Sequence, residues 1–141
     1  MFQDGVNLST VNEFSKNTMV EHLGIEITEI GDDFMVARMP VDHRTKQPLG
    51  LLHGGASLAL AETLGSIAAH CTVNPSTHFC VGLEINGNHI KSVKEGWVYA
   101  TAKPHHVGKR TQVWEIKIVN EKNELVCISR ITMAVMDKIK A

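Results

Sequence analysis

The chain has 141 residues, 43% of them hydrophobic and 21% charged, which suits one globular domain whose core needs no disulfide or metal support. Its formal net charge of −1 leaves no global field to draw in nucleic acid or an anionic membrane. Any anionic ligand must therefore be held by a local cluster of positive groups. The three cysteines, Cys71, Cys80 and Cys127, are odd in number and form no C-x-x-C pair. They point to reduced thiols in a cytoplasmic protein, each better read as a small buried hydrophobe than as a nucleophile. Met1 to Thr10 lacks a basic start followed by an apolar run, so no signal peptide is expected. No stretch approaches the roughly 18 apolar residues of a membrane span.

From Asn7 to Leu23 a polar segment carries Val11, Phe14, Met19 and Val20 at loosely helical spacing, which predicts a short helix. Ile25–Ile30 and Phe34–Val41 alternate in polarity on either side of Gly31-Asp32-Asp33, the pattern of two strands and a tight turn. Asp42 to Gly50 is a polar loop. Leu51 to His70, rich in Ala and Leu, predicts one long helix with Gly54-Gly55 near its start. Four more alternating segments follow: His78–Asn86, Trp97–Lys103, Thr111–Asn120 and Glu124–Met136. Breaks at Asn86-Gly87-Asn88, Val107-Gly108-Lys109 and Asn120–Asn123 separate them. Strands joined by short turns run antiparallel. One helix cannot cover both faces of a six-stranded sheet, but a sheet can wrap one helix, so the expected class is α+β.

From Gly54 to Ala69 the helix is apolar or small around its whole circumference, and Glu62 is its one ionisable residue. Burying an unpaired carboxylate costs several kcal/mol or forces protonation, and acids with shifted pKa values collect at active sites. The bland alternative is a narrow solvated stripe. Yet the residues flanking Glu62 on a helical wheel are Gly55, Leu58, Ala59, Gly65, Ser66 and Ala69, not Lys, Glu or Gln. Gly54-Gly55 opens the helix with free N–H groups at its positive end, suited to a carbonyl oxygen acquiring charge, although a plain tight turn reads equally well. Seven residues, about 10 Å of axis, separate Gly55 from Glu62. That gap hints at a site shared between two chains.

The segment Arg44-Thr-Lys-Gln-Pro-Leu-Gly-Leu-Leu-His-Gly-Gly-Ala-Ser-Leu-Ala-Leu-Ala-Glu-Thr-Leu-Gly-Ser66 resembles a particular hotdog family. It is the bacterial thioesterases that include the 1,4-dihydroxy-2-naphthoyl-CoA hydrolases, with enterobactin-proofreading and phenylacetate-pathway thioesterases as relatives. The likeness continues through Val81-Gly-Leu-Glu-Ile-Asn-Gly-Asn-His-Ile-Lys91 and Gln112-Val-Trp-Glu-Ile116. It implies an antiparallel sheet wrapped around the long helix, and homodimers that pair into homotetramers. It implies hydrolysis of an aryl- or medium-chain acyl-CoA, or of an acyl or aryl carrier-protein thioester, without a cofactor. Glu62 then matches the catalytic carboxylate, acting as nucleophile or general base, and Gly55 the N–H donor to the thioester carbonyl. Gln47 and His53 match residues that orient the thioester, and Ser66 one that positions water or substrate. His89, Lys91, Gly108, Lys109 and Arg110 fall where relatives hold the CoA phosphates. Relatives commonly carry Arg at the position of Lys91, and Lys keeps that charge without the bidentate contact.

Four other functions compete with this reading. A Ser-His-Asp hydrolase is disfavoured, for no G-x-S-x-G occurs. Eight histidines invite a zinc site, but the adjacent His105-His106 has no H-x₃-H partner. A hydroxyacyl-thioester dehydratase and a non-catalytic acyl-CoA-binding module remain the alternatives.

Overall fold

A computed structural model describes residues 1–139. Two short helices, α1 (Leu8–Glu13) and α2 (Met19–His22), precede strands β1 (Glu26–Ile30) and β2 (Met35–Pro40). The long helix α3 (Gly54–His70) follows, then β3 (His78–His89), β4 (Trp97–Val107), β5 (Thr111–Asn120) and β6 (Leu125–Asp137). All six strands form one antiparallel sheet in the order β1-β2-β4-β5-β6-β3. The sheet curls around α3, which packs against β2, β3, β4, β5 and β6. This is the wrapped α+β arrangement that the resemblance implies. Among the described residues no helix is long and apolar enough to cross a membrane.

The core lies between α3 and the inner face of the sheet. Leu60, Ala61, Leu64 and Ala68 meet Val98, Ala100, Ala102, Trp114, Ile116, Ile118 and Ile131, all fully buried. Helix and sheet touch closely at Gly65, where a Cβ would lie 2.6 Å from Ile131 Cγ2. The buried Gln112 is satisfied: it accepts from Trp114 Nε1 at 2.9 Å and donates to Thr72 Oγ1 at 2.8 Å beyond the helix end.

The two sheet edges differ. On β1, the Asn12 side chain donates to the Ile27 carbonyl and accepts from its N–H, both at 2.9 Å, in the place a neighbouring strand would take. On β3, the other edge, Val81 and Leu83 are 40% and 61% exposed.

Several boundaries depart from the sequence reading. The single helix expected over Asn7–Leu23 is two, because Asn17 turns the chain with φ 59° and Thr18 caps a new helix. Helix α3 begins at Gly54 rather than Leu51, since Leu52 bridges to Lys46 and its N–H donates to the Val93 carbonyl at 2.8 Å. Asn86-Gly87-Asn88 is no turn: β3 runs through it, paired with Arg130, Ser129 and Ile128. The absent side chain at Gly87 makes room for Leu58, whose Cδ2 would lie 2.5 Å from a Cβ there. Strand β4 outruns Lys103 by absorbing Pro104 beside a register shift before His106.

Candidate active site

The loop before α3 is knitted so that it aims its side chains. Thr45, 1% exposed, donates to the Pro40 carbonyl at 2.6 Å, and its own carbonyl accepts the His53 N–H at 2.8 Å. Arg44 Nη2 pairs with Asp42 Oδ2 at 2.8 Å, and the guanidinium holds the Asp42 carboxyl down at about 2. Gln47 closes a tight turn: its N–H donates to the Leu51 carbonyl at 2.8 Å, and its side-chain oxygen accepts the Leu49 N–H.

His53 is the N-cap of α3, in extended backbone, and its Nδ1 accepts the Gly55 N–H at 2.7 Å. A ring nitrogen that accepts carries a lone pair, so the neutral ring bears its proton on Nε2. The Gly55 N–H expected to face a thioester carbonyl is thus covered by His53. His89 flanks the same helix end from β3, for a Cβ on Gly54 would lie 2.7 Å from its Nε2. Gln47, Gly54, Ser57, His89, Lys91 and Val126 are among the residues lining a cleft of about 250 Å³. Lys91 is ion-paired with Glu124, whose carboxyl it and Asn120 hold below the usual carboxylate range.

Two turns along α3, Glu62 is half-buried, and burial pushes its carboxyl upward. Among the described residues it has neither an ion pair nor a hydrogen bond. Its Oε1 lies over Gly82 of β3, 2.7 Å from where a Cβ would stand. Ser66, one turn on, has Oγ 3.9 Å from Met133 Sδ. Met133 pairs with Gly82 across the sheet, so Glu62, Ser66, Gly82 and Met133 form one wall.

The residues expected to hold CoA phosphates fall into two groups. Lys109 and Arg110 are exposed on the β4–β5 turn, where the Gly108 N–H donates to the Thr111 carbonyl and Val135 to that of Arg110, both at 2.9 Å. His89 pairs with Cys127, whereas the turn adjoins Ala134 and Val135, so about 23 Å of β6 separates the groups. Sequence reasoning missed Gly82, Met133 and Glu124. An isolated glycine within a strand is the available signal for Gly82, since it marks close approach of another group. The cysteines stay in their expected role: burial pushes all three thiols up, Cys71 to about 11.

An unpaired acid on a helix, a cleft at the helix start and outlying cations suit attack on an activated carbonyl of an anionic ligand. Comparison with known proteins agrees. Residues 49–127 match the thioesterase superfamily. The chain is 50% identical over 132 residues to the 1,4-dihydroxy-2-naphthoyl-CoA hydrolase of Escherichia coli, covering 93% of this chain and 96% of that one. It is 50% identical over 131 residues to the proofreading thioesterase EntH of Cronobacter turicensis, covering 93% and 95%. The crystal structure of a Haemophilus influenzae thioesterase superposes with a TM-score of 0.95 at 45% identity, covering 99% of this chain and 96% of that one.

Proposed function

The chain belongs to the thioesterase superfamily and is a thioester hydrolase, and from that premise we propose that it cleaves acyl-CoA thioesters with aryl or medium-length acyl groups. The observation that carries the proposal is Glu62: a half-buried carboxylate with no ion pair or hydrogen bond among the described residues, set over Gly82 of the edge strand β3. Its oxygen attacks the thioester carbon or takes a proton from the attacking water. The Gly55 N–H receives the carbonyl oxygen once substrate displaces His53 Nδ1. His53 then offers its Nε2–H to the substrate, Gln47 orients the thioester from the cleft wall, and Ser66 positions water or the acyl group.

One chain does not complete this site, for about 10 Å of axis separates Gly55 from Glu62. Pairing of two β3 edges does. Gly54 lies against His89 and Glu62 against Gly82. If two β3 strands pair antiparallel about Asn86, with Leu83 counted as the extra residue of its bulge, Gly82 faces the partner's His89. Glu62 then adjoins the helix start of the second chain. The same register brings the partner's Lys91 opposite Cys80, whose neighbour Val135 is bonded to Arg110. The two separated cation groups become one phosphate-binding cluster. That one register answers two needs is the support for a homodimer, which could pair again into a tetramer. The free cysteines and a CoA ester substrate both suit the cytoplasm.

The test is thiol release over benzoyl-, 1,4-dihydroxy-2-naphthoyl-, phenylacetyl- and decanoyl-CoA, and over the same acyl groups on a carrier protein. Turnover of aryl or medium-chain CoA esters is expected. Hydration of an enoyl-CoA, or binding of every ester without thiol release, would overturn the proposal. A monodisperse, fully active monomer in light scattering would remove the shared site.

A further inference from the structure

We infer that Gly82 is a positioning residue for the reaction: the bare backbone of β3 at this point sets where the Glu62 carboxylate sits. The inference rests on the catalytic reading of Glu62. Among the described residues no donor or cation holds that carboxylate, so its place is fixed by the surfaces it rests on. One is the bare Gly82 backbone; Met133 Sδ stands beside it, 4.0 Å from where a Gly82 Cβ would lie and 3.9 Å from Ser66 Oγ. The strand also changes register between Gly82 and Glu84, and the extra residue, Leu83, is turned outward at 61% exposure. Bulges of this kind re-aim a strand locally and recur beside active sites.

A Cβ at position 82 would stand 2.7 Å from Glu62 Oε1, against at least 3.4 Å for ordinary contact. The carboxylate end is the part able to move, so Gly82→Ala must displace it by roughly 0.7 Å. Gly82 does not occupy the left-handed region, so alanine adds no backbone strain there. A misplacement near 1 Å costs about 100-fold in rate where geometry governs the step. Gly82→Ala is therefore expected to lower kcat by about 10- to 100-fold with KM nearly unchanged, and with secondary structure and Tm retained.

The deciding measurement is a double-mutant cycle with Glu62→Asp, which draws the carboxylate back by one methylene. Kinetics are read with benzoyl-CoA and decanoyl-CoA. In the wild-type background Glu62→Asp removes reach. In the Gly82→Ala background it relieves the clash, so its cost should shrink at least tenfold; additive losses would overturn the inference. A role limited to folding would lower Tm and leave the cycle additive. Glu62→Gln separates the two levels. If it abolishes turnover while Gly82→Ala stays within threefold of wild type, the positioning role fails alone. If Glu62→Gln turns over normally, the reading of Glu62 fails and takes this inference with it.

Discussion

Replacing Glu62 by Gln keeps the shape of the side chain and removes its charge, and the structure assigns that change opposite effects on rate and on stability. Loss of an essential nucleophile or base lowers kcat by about a thousandfold, or about 4 kcal/mol in activation free energy, with substrate binding retained. Stability moves the other way. Burial raises the Glu62 carboxyl above its ordinary value, so the folded chain holds the proton more tightly than the unfolded one. As pH rises through the unfolded value near 4.3, ionisation begins to cost folding free energy, and above the raised folded value the whole penalty is present. Glu62 is only half-buried and is screened by water, so the penalty is small beside the loss in rate. Glu62→Gln should melt higher than wild type at pH 7 to 8, with the gap closing by pH 4. Wild-type kcat/KM should fall on the acid side at a pH above that of an ordinary carboxylate. Stopped thiol-release assays and thermal melts at both pH values read these quantities. Near-normal turnover would refute the catalytic role, and a variant less stable than wild type at pH 7 would refute the electrostatics.

Changing Lys109 and Arg110 together to Ala should raise KM for CoA esters about tenfold and leave kcat nearly intact, because the phosphates they are proposed to hold are remote from the reacting carbon. Equal KM values for CoA and pantetheine esters in wild type would remove the basis for this. Gly65→Ala should cost about 1–3 kcal/mol in urea unfolding, since its Cβ would meet Ile131 Cγ2 at 2.6 Å in a packed core; an unchanged midpoint would contradict that packing. Arg44→Met should destabilise the chain at pH 7. Asp42, held at about 2 in the fold, lends the pair's stability in full above about pH 4 and loses it as pH falls toward 2. The gap between variant and wild type should narrow over that window, and a gap constant with pH would refute the pairing.

The parts of the molecule most legible in the sequence are those where local pattern and long-range packing agree. Strand β5 occupies its expected span, and α3 was recognisable because a helix apolar on all sides has only a wrapped sheet to lie in. Glu62 stood out on the same ground, as the one charge in that helix. The misreadings share a cause: a local cue served a distant contact. Gly87 looks like a turn residue but serves close packing with Leu58, 29 positions away. Glu124, ion-paired with Lys91, went unnoticed because 33 positions separate the two in the chain. The Gly55 N–H looks open until the His53 ring is placed over it, a choice of rotamer that spacing does not encode.

The Asn12 amide on the outer edge of β1 has a consequence for the size of any assembly. Its two hydrogen bonds to Ile27 use the donor and acceptor that a further strand would need, so this side of the sheet is closed to pairing at that residue. The molecule is therefore monovalent as a β-building block: β3 can accept one neighbour, and β1 is stoppered. If two copies join through β3 as proposed, each spends that edge, and the resulting twelve-stranded ribbon ends on β1 at both sides. In the proposed dimer, one side-chain amide thus opposes open-ended growth of the sheet at Ile27.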